Sequence, residues 1–262
     1  MSRSGNILRT VLGTGALAAI LLCLAVSAGI SRSTRSGILC SGISVTIRDS
    51  AENRFVSEED IKEYIAKEYG KTGEVPVKDL DLKKIESILD SRSAVLKSEA
   101  YCTKDGMLNI SVTQRKPIMR FQKKGSGFYA DADGYIFPMK EGRASYVIVI
   151  DGNIPLDLGN AGKGKATSGE ERIWLDRITG LVTYMDRHRV WGEDIVQIHV
   201  QDNGDLIMIP REGREKFIFG KPVSVEEKFA LMERYYTSIV PAMGKDRYSS
   251  VDVRYKGQII CR

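Results

Sequence analysis

The stretch TVLGTGALAAILLCLAVSAGI, residues Thr10 to Ile30, has no charged side chain, and it decides how the rest of the chain is organised. As an α-helix with about 1.5 Å rise per residue it would be about 31 Å long, which matches the roughly 30 Å hydrocarbon core of a bilayer. Nine of its residues are Val, Leu or Ile, whose insertion into a membrane is favourable. Because no later stretch is comparable, the sequence predicts one transmembrane helix after a short tail, residues 1–9.

The same run could instead belong to a cleaved signal peptide. Arg3 and Arg9 precede it, and it ends in AVSAG, which satisfies the small-residue rule of a cleavage site. However, the apolar run is longer than the roughly 7–15 residues of a typical signal core. A lipoprotein signal would need a small residue before Cys23, where the chain has Leu22. We therefore favour a retained anchor, with the N-terminus in the cytoplasm and the bulk of the chain in the periplasm.

Charge and cysteine content exclude several classes of function. Charged residues make up 28% of the chain and the net charge is +5, but acidic and basic residues are interleaved, without the basic stripe of a nucleic-acid-binding protein. The two histidines are too few for a His-rich metal site, and the four cysteines contain no C-x-x-C pair typical of zinc or redox motifs. Cys40 and Cys102 are the candidate disulfide pair, since Cys102 lies in a predicted strand that could lie beside the first strand. Whether they are bridged stays open.

Residues 31–40 form a polar linker, and residues 41–116 then show the order strand, helix, helix, strand, strand. The segment ISVTIRD alternates apolar and polar residues, as a half-buried strand does. Ser57 is a favourable N-cap for the first helix, and the Asp-Gly pair between VLKSEAYC and LNISVTQ favours a hairpin. The pattern predicts a small α+β domain that ends before Pro117.

Residues 117–262 are predicted to form a β-rich domain with helices. Ser168 with Glu171 and Ser224 with Glu227 have the spacing of capping boxes, each at the start of a helical pattern. The last segment, SSVDVRYKGQIIC, is predicted to be one strand. The other predicted strands are IMRFQ, GFYAD, GYIFP, SYVIVI, IVQIHV, DLIMIP and KFIFG.

Three motifs are similar to catalytic or binding signatures, but each lacks a residue that its chemistry requires. Gly159–Lys165 (GNAGKGK) fits a phosphate loop, yet Ala166 stands where a Ser or Thr would bind magnesium. Asp131–Gly134 (DADG) begins like a calcium loop without the later ligands, so a hairpin turn is predicted. His188 and His199 have no nucleophile in a familiar motif and are predicted to be structural. The sequence therefore predicts neither an enzyme nor a cofactor or metal, and it favours binding through a surface.

Several stretches, taken in order, resemble the bacterial cell-division family FtsQ, called DivIB in other lineages. They are ISVTIRDSAENRFVSEEDI, ISVTQRKPIMRF, FYADADGYIFP and VDVRYKGQII. The first domain resembles a polypeptide-transport-associated (POTRA) domain, and the second and third stretches resemble the Bacteroidota branch. The resemblance covers nearly the whole chain. It implies an α+β protein with a single anchor, a POTRA-like domain and an FtsQ-type β domain, located in the inner membrane at the division septum.

The resemblance also implies a non-enzymatic scaffold that captures FtsB, itself paired with FtsL, by strand addition. The matching stretch is Val251, Asp252, Val253, Arg254 and Tyr255, whose alternation predicts one packed face and one solvated face. A terminal strand leaves unpaired backbone groups that invite another chain, so we expect this stretch to be the partner-binding edge. On the solvated face, Arg254 is expected to tolerate charge reversal without loss of stability.

Two rival functions come from other classes. A periplasmic POTRA-type chaperone of envelope polypeptides would usually carry repeated POTRA units or a barrel, and neither is present in this sequence. An envelope enzyme would need a catalytic constellation, which the motifs do not supply. The sequence also departs from proteobacterial relatives in its short tail and in lacking a Trp after the final strand, which leaves contacts beyond Tyr255 open.

Overall fold

The computed structural model describes residues 37–50, 54–73, 75–123, 125–139, 145–158, 164–166 and 168–262, together with Ile20 and Cys23. The chain divides into two compact units. The first unit contains the chain up to Arg48, residues 57–91 and residues 97–113, and the second contains residues 49–56, 92–96 and 114–262. The domain limits 41–116 and 117–262 stay predictions.

The predicted transmembrane segment, Thr10–Ile30, lies almost wholly outside the described residues. Within the part of the chain that the structure describes, no helix is both long and apolar enough to cross a bilayer. The anchor, its orientation and the tail before it therefore remain predictions.

The first unit has the predicted order of elements. They are β1 (Gly42–Ile47), α1 (Glu58–Glu68), α2 (Leu82–Asp90), β2 (Val95–Cys102) and β3 (Met107–Gln114), with a 3-10 turn at Val77–Asp79. Among the described residues the sheet has the strand order β1–β3–β2, and β1 runs parallel to β3.

Both helices of this unit begin at a side-chain cap. The Ser57 hydroxyl accepts from the Asp60 N–H and the Asp60 carboxylate accepts from the Ser57 N–H, which completes a capping box. Asp81 caps α2 by accepting from the Lys84 N–H. The helices bury one apolar face each, and the core of the unit contains Ile61, Ile65, Ile85, Leu89, Val45, Leu108, Ile110 and Val112.

The strand order contradicts the expected neighbourhood of the two cysteines. Because β3 lies between β1 and β2, the strand that carries Cys102 is not beside the strand that follows Cys40. Both thiols are free. The expected pairing of these two strands is therefore wrong.

The second unit is built on one mixed sheet. In the described part of the chain its strand order is β12–β11–β10–β9–β8–β7–β4–β5–β6. The strands are β4 (Pro117–Lys123), β5 (Ser126–Asp131), β6 (Ile136–Pro138), β7 (Ile148–Gly152), β8 (Ile195–Val200), β9 (Leu206–Pro210), β10 (Lys216–Gly220), β11 (Ser250–Asp252) and β12 (Ile260–Cys261). The predicted α+β class, with a small strand–helix–helix–strand–strand unit followed by a β-rich part, is confirmed.

Helices pack against this sheet. They are α3 (Gly169–Arg187), α4 (Arg189–Asp194), α5 (Val225–Arg234), a π-helical turn (Tyr235–Ile239) and α6 (Val240–Met243). The main core contains alternate strand residues and one face of each long helix, including Met119, Phe121, Ile150, Ile198, Met208, Phe217, Ile178, Leu181, Phe229 and Met232.

The two capping boxes predicted for this unit have different outcomes. Ser168 caps α3 by accepting from the Glu171 N–H, but the Glu171 carboxylate accepts from the Asp157 N–H and does not return to Ser168. Ser224 has a left-handed backbone, with φ 51°, and its side chain makes no cap bond, so the second capping box is wrong. The helix that follows it forms nevertheless.

The predicted turn at Asp131–Gly134 is confirmed. The Gly134 N–H donates to the Asp131 carbonyl at 3.1 Å, and the φ of Gly134 is +69°, which favours glycine. The final segment, in contrast, is not one strand: β11 and β12 are separated by a turn over residues 253–259.

Candidate functional site

The stretch Val251–Tyr255 does not form the outer edge of the sheet. β11 pairs in parallel with β10 on one side and antiparallel with β12 on the other, where Val251 lies opposite Cys261 and Asp252 lies opposite Ile260. The backbone of β11 is therefore used on both sides, and the expectation that this stretch is an edge strand is wrong. Binding by its side chains stays a prediction.

The five side chains of this stretch have different environments. Val251 and Val253 are completely buried in the core, as the alternation predicts. Asp252 is 8% exposed, whereas Tyr255 is 50% exposed. Tyr255 begins the turn that joins β11 to β12, because its carbonyl accepts from the Gln258 N–H at 3.2 Å. Of the five residues, Tyr255 offers the largest apolar contact surface to another protein.

Arg254 holds two buried carboxylates. Its Nε and Nη2 donate to the two oxygens of Asp252, at 3.0 Å and 2.7 Å, and its Nη1 donates to Asp205 at 3.2 Å. Burial alone would raise the pKa of Asp252, but the hydrogen bonds and charge of Arg254 outweigh burial and lower that pKa. The same bonds to Asp252 raise the pKa of the guanidinium. Because charge reversal at Arg254 would break these bonds, we now expect it to lower stability, in contrast to the expectation from the sequence.

The surroundings of this ion cluster also fix its position. A Cβ at Gly220, whose φ is +73°, would lie 2.8 Å from Cγ of Arg254, so the arginine packs where a side chain is missing. Lys221 lies 3.7 Å from the second oxygen of Asp205. The buried ammonium of Lys228 donates to the Lys221 carbonyl at 2.7 Å, and burial lowers the pKa of Lys228. These contacts join the end of β10 to Arg254, to Asp205 before β9 and to α5.

β12 is the outermost strand at this end of the sheet. Ser250 and Arg262 exchange two backbone hydrogen bonds, of 3.0 Å and 2.9 Å. Because antiparallel pairs alternate between bonded and non-bonded positions, the N–H and C=O of Cys261 point away from β11. No strand in the described part of the chain pairs with that side. Sequence reasoning missed this edge because IIC is too short to distinguish from the end of the preceding strand pattern.

Two other sheet edges are partly occupied, whereas no strand in the described part of the chain pairs with the outer side of β1. At the far end of the same sheet, Gly164 and Ile136 exchange hydrogen bonds of 2.8 Å and 3.0 Å, so part of the Gly-rich loop lies along β6. In the first unit, two carboxylates of α2 accept from the outward-facing N–H groups of β2. Glu86 binds the Ala100 N–H and Asp90 binds the Ser98 N–H, each at 2.7 Å.

Each histidine is bonded through Nδ1 to a neighbouring residue. His199 Nδ1 lies 2.8 Å from the Asp151 carboxylate, which also accepts from the Gln197 amide at 2.8 Å. His188 Nδ1 lies 2.8 Å from the Tyr184 carbonyl, and its ring stacks on the Tyr184 ring. The described residues contain no group of three or more His, Cys, Asp or Glu side chains that could hold a metal ion.

Comparison with protein families matches both parts of the chain. Residues 116–262 match the family described as FtsQ/DivIB, C-terminal related. Residues 38–113 match the POTRA-like domain. The first match alone covers more than half of the chain. No curated protein matches this sequence.

Proposed function

The chain belongs to the FtsQ/DivIB C-terminal-related family, and from this premise we propose that it is a division scaffold that binds its partner at the outer edge of β12. Family membership indicates a non-enzymatic scaffold role in cell division and a location at the division site. The observation that carries the finer proposal is the unpaired outward side of Cys261, since strand addition needs a row of free backbone groups.

In this proposal the predicted site residues have separate roles. Tyr255 is the exposed aromatic anchor beside the edge, and the backbone of Cys261 bonds the added strand. Val251, Asp252, Val253 and Arg254 act indirectly, because their core packing and ion pairs hold β11, and through it β12, in position.

The partner proposed from the resemblance is FtsB, together with FtsL. The scaffold would connect early and late division proteins at the septum. It would be held in the inner membrane by Thr10–Ile30 as a single span, with the bulk of the chain in the periplasm. Neither a nucleic acid nor a small-molecule substrate is part of this proposal.

One observation disfavours the rival function of a POTRA-type polypeptide chaperone. Such a protein would bind extended polypeptides at an open strand edge of the POTRA sheet. In this chain the outward N–H groups of Ser98 and Ala100 are already bonded to Asp90 and Glu86. An incoming strand would have to displace both carboxylates, so the edge of β2 is a poor site for general polypeptide capture.

A proline at Cys261 tests the proposed edge. The Cys261 N–H makes no bond to β11, so Cys261→Pro removes a donor from the partner's side and leaves the internal ladder intact. We expect Cys261→Pro to fold and to lose retention of FtsB–FtsL in a pull-down with the full chain, while the matched Cys261→Ala variant retains them. A Cys261→Pro variant that melts like wild type and still retains FtsB–FtsL would place the binding site elsewhere.

Tyr255→Ala tests the aromatic anchor. Removal of an interface anchor of this kind often weakens binding by about 2 kcal/mol, or roughly 30-fold. Tyr146→Ala is the matched control, because Tyr146 is also an exposed tyrosine in the second unit. Equal retention of FtsB–FtsL by both variants would show that Tyr255 makes no contribution.

A further inference from the structure

An open groove of about 610 Å³ lies along α3, and no residue of β11 or β12 contributes to it. One wall is the turn Ala132–Gly134 between β5 and β6. The floor is the face of α3 that runs from Asp176 to His188, and Glu226 of α5 lies at the side. The proposed partner edge therefore does not account for this surface.

Gly180 leaves the floor of the groove open. It lies in the interior of the 19-residue helix α3, where glycine is less favourable than alanine. A Cβ built at Gly180 would meet no atom within 4 Å, so packing among the described residues gives no reason for a glycine here. The missing side chain lets another backbone come close to this helix.

Thr179 has an unpaired hydroxyl group at the border of the groove. Its side chain lines the groove and is 9% exposed, and its Oγ1 has no hydrogen-bond partner among the described residues. Buried hydroxyl groups are nearly always paired in native proteins. In the structure this oxygen is shielded from solvent, and rotation about χ1, for which threonine in a helix has two favourable positions, would present it to a docked partner.

The lining of the groove is acidic. Asp133, Asp176 and Glu226 contribute three carboxylates, and none of them forms an ion pair with another residue that the structure describes. Arg187 is the one arginine of the lining. The C-terminal end of α3 adds partial negative charge at that side. The field in the groove therefore favours a basic partner.

We infer that this groove docks a basic α-helical segment of a partner protein. Strand addition is excluded because the backbone groups in the middle of α3 are bonded within the helix. The mode of binding that is left is side-chain packing between two helices. The three-to-four-residue spacing of such a contact is found in Asp176, Gly180, Thr183 and Arg187. From Asp176 to Arg187 the floor is about 17 Å long, or three helical turns. Lys or Arg side chains of the segment pair with the three carboxylates.

The test uses the purified full chain and a synthetic alanine-based helical peptide with Lys at every fourth position. The matched peptide has Glu in place of Lys. Fluorescence anisotropy of the labelled peptides should show saturable binding of the Lys peptide alone. Gly180→Leu fills the groove and should weaken this binding at least tenfold, although leucine favours the helix and should not lower the melting temperature. Asp176→Asn should weaken it severalfold.

Gly169→Leu is the matched control. Gly169 is the first residue of α3, outside the groove, and a Cβ there would also meet no atom within 4 Å. It should leave peptide binding unchanged, as should Cys261→Pro, which separates this result from the β12 proposal. The inference is overturned if the Lys and Glu peptides bind alike, if no saturable binding occurs, or if Gly180→Leu and Gly169→Leu have the same effect.

Discussion

Replacement of Arg254 by Met should destabilise the second unit by about 2 kcal/mol at neutral pH. Methionine keeps the apolar stem but removes the four side-chain hydrogen bonds to Asp252 and Asp205. Breaking a fully buried ion pair costs about 3–5 kcal/mol, because one charge is left unpaired. An exposed pair contributes about 0.2–1 kcal/mol. Since the Arg254 side chain is 36% exposed and both carboxylates are largely buried, an intermediate value is expected.

The size of this effect should depend on pH. Because Arg254 lowers the pKa of Asp252 in the folded state, its contribution is fully present above the unfolded Asp pKa of about 3.9. This contribution to stability is lost as the pH falls through the pKa that Asp252 has in the folded state. In the variant, burial would instead raise the pKa of Asp252, so protonation relieves the cost of the unpaired charge. The difference in unfolding free energy between wild type and Arg254→Met should therefore shrink from pH 7 to pH 3.

Denaturant unfolding at both pH values measures this difference. Lys245→Met is the matched control, since Lys245 lies 3.9 Å from Glu212 and both side chains are exposed. It should change stability by less than about 0.5 kcal/mol. The reasoning about the ion cluster is refuted if Arg254→Met is as stable as the control at pH 7, or if its deficit is the same at pH 3.

Three further substitutions test the packing of the units. Gln114→Leu should lower the free energy of unfolding by about 2–4 kcal/mol, as measured with denaturant. The reason is that the buried Gln114 amide oxygen accepts from two backbone N–H groups, which would lose their partner. A decrease below about 1 kcal/mol would contradict this reasoning. Tyr236→Phe removes the 2.8 Å hydrogen bond to the buried Glu215 carboxylate and should lower the free energy of unfolding by about 1–3 kcal/mol. An unchanged melting temperature would show that this hydrogen bond does not stabilise the fold. Ile65→Asp places a charge in the core of the first unit and should abolish its protection in amide hydrogen exchange, while the second unit stays protected.

Local sequence signals were sufficient to predict most of the elements of both units. The capping box at Ser57 and the strands IVQIHV and DLIMIP each depend on residues that are close in sequence, and the structure contains them. A false local signal also occurred, at Ser224, because residue type alone does not fix the backbone angles of a cap. The helices and strands were therefore predicted more reliably than the capping hydrogen bonds at their ends.

Strand order was beyond these signals. The sheet of the second unit contains parallel pairs β4–β7, β7–β8 and β10–β11, which join segments far apart in the chain. Alternation shows which face of a strand is apolar, but it contains no information about the neighbouring strand. For the same reason β12, with two residues, was merged with the strand before it.

The site prediction was limited by a contact between distant residues. Alternation in VDVRY presents Arg254 as a solvated charge, because Asp205, which it binds, lies 49 positions earlier in the chain. Through these ion pairs Arg254 stabilises the position of β11. Among the described strands, β12 pairs only with β11. Loss of Arg254 should therefore weaken partner binding by releasing β12 as well as by any direct contact. Partner retention by a variant of this stretch identifies a contact only when its unfolding free energy equals that of wild type.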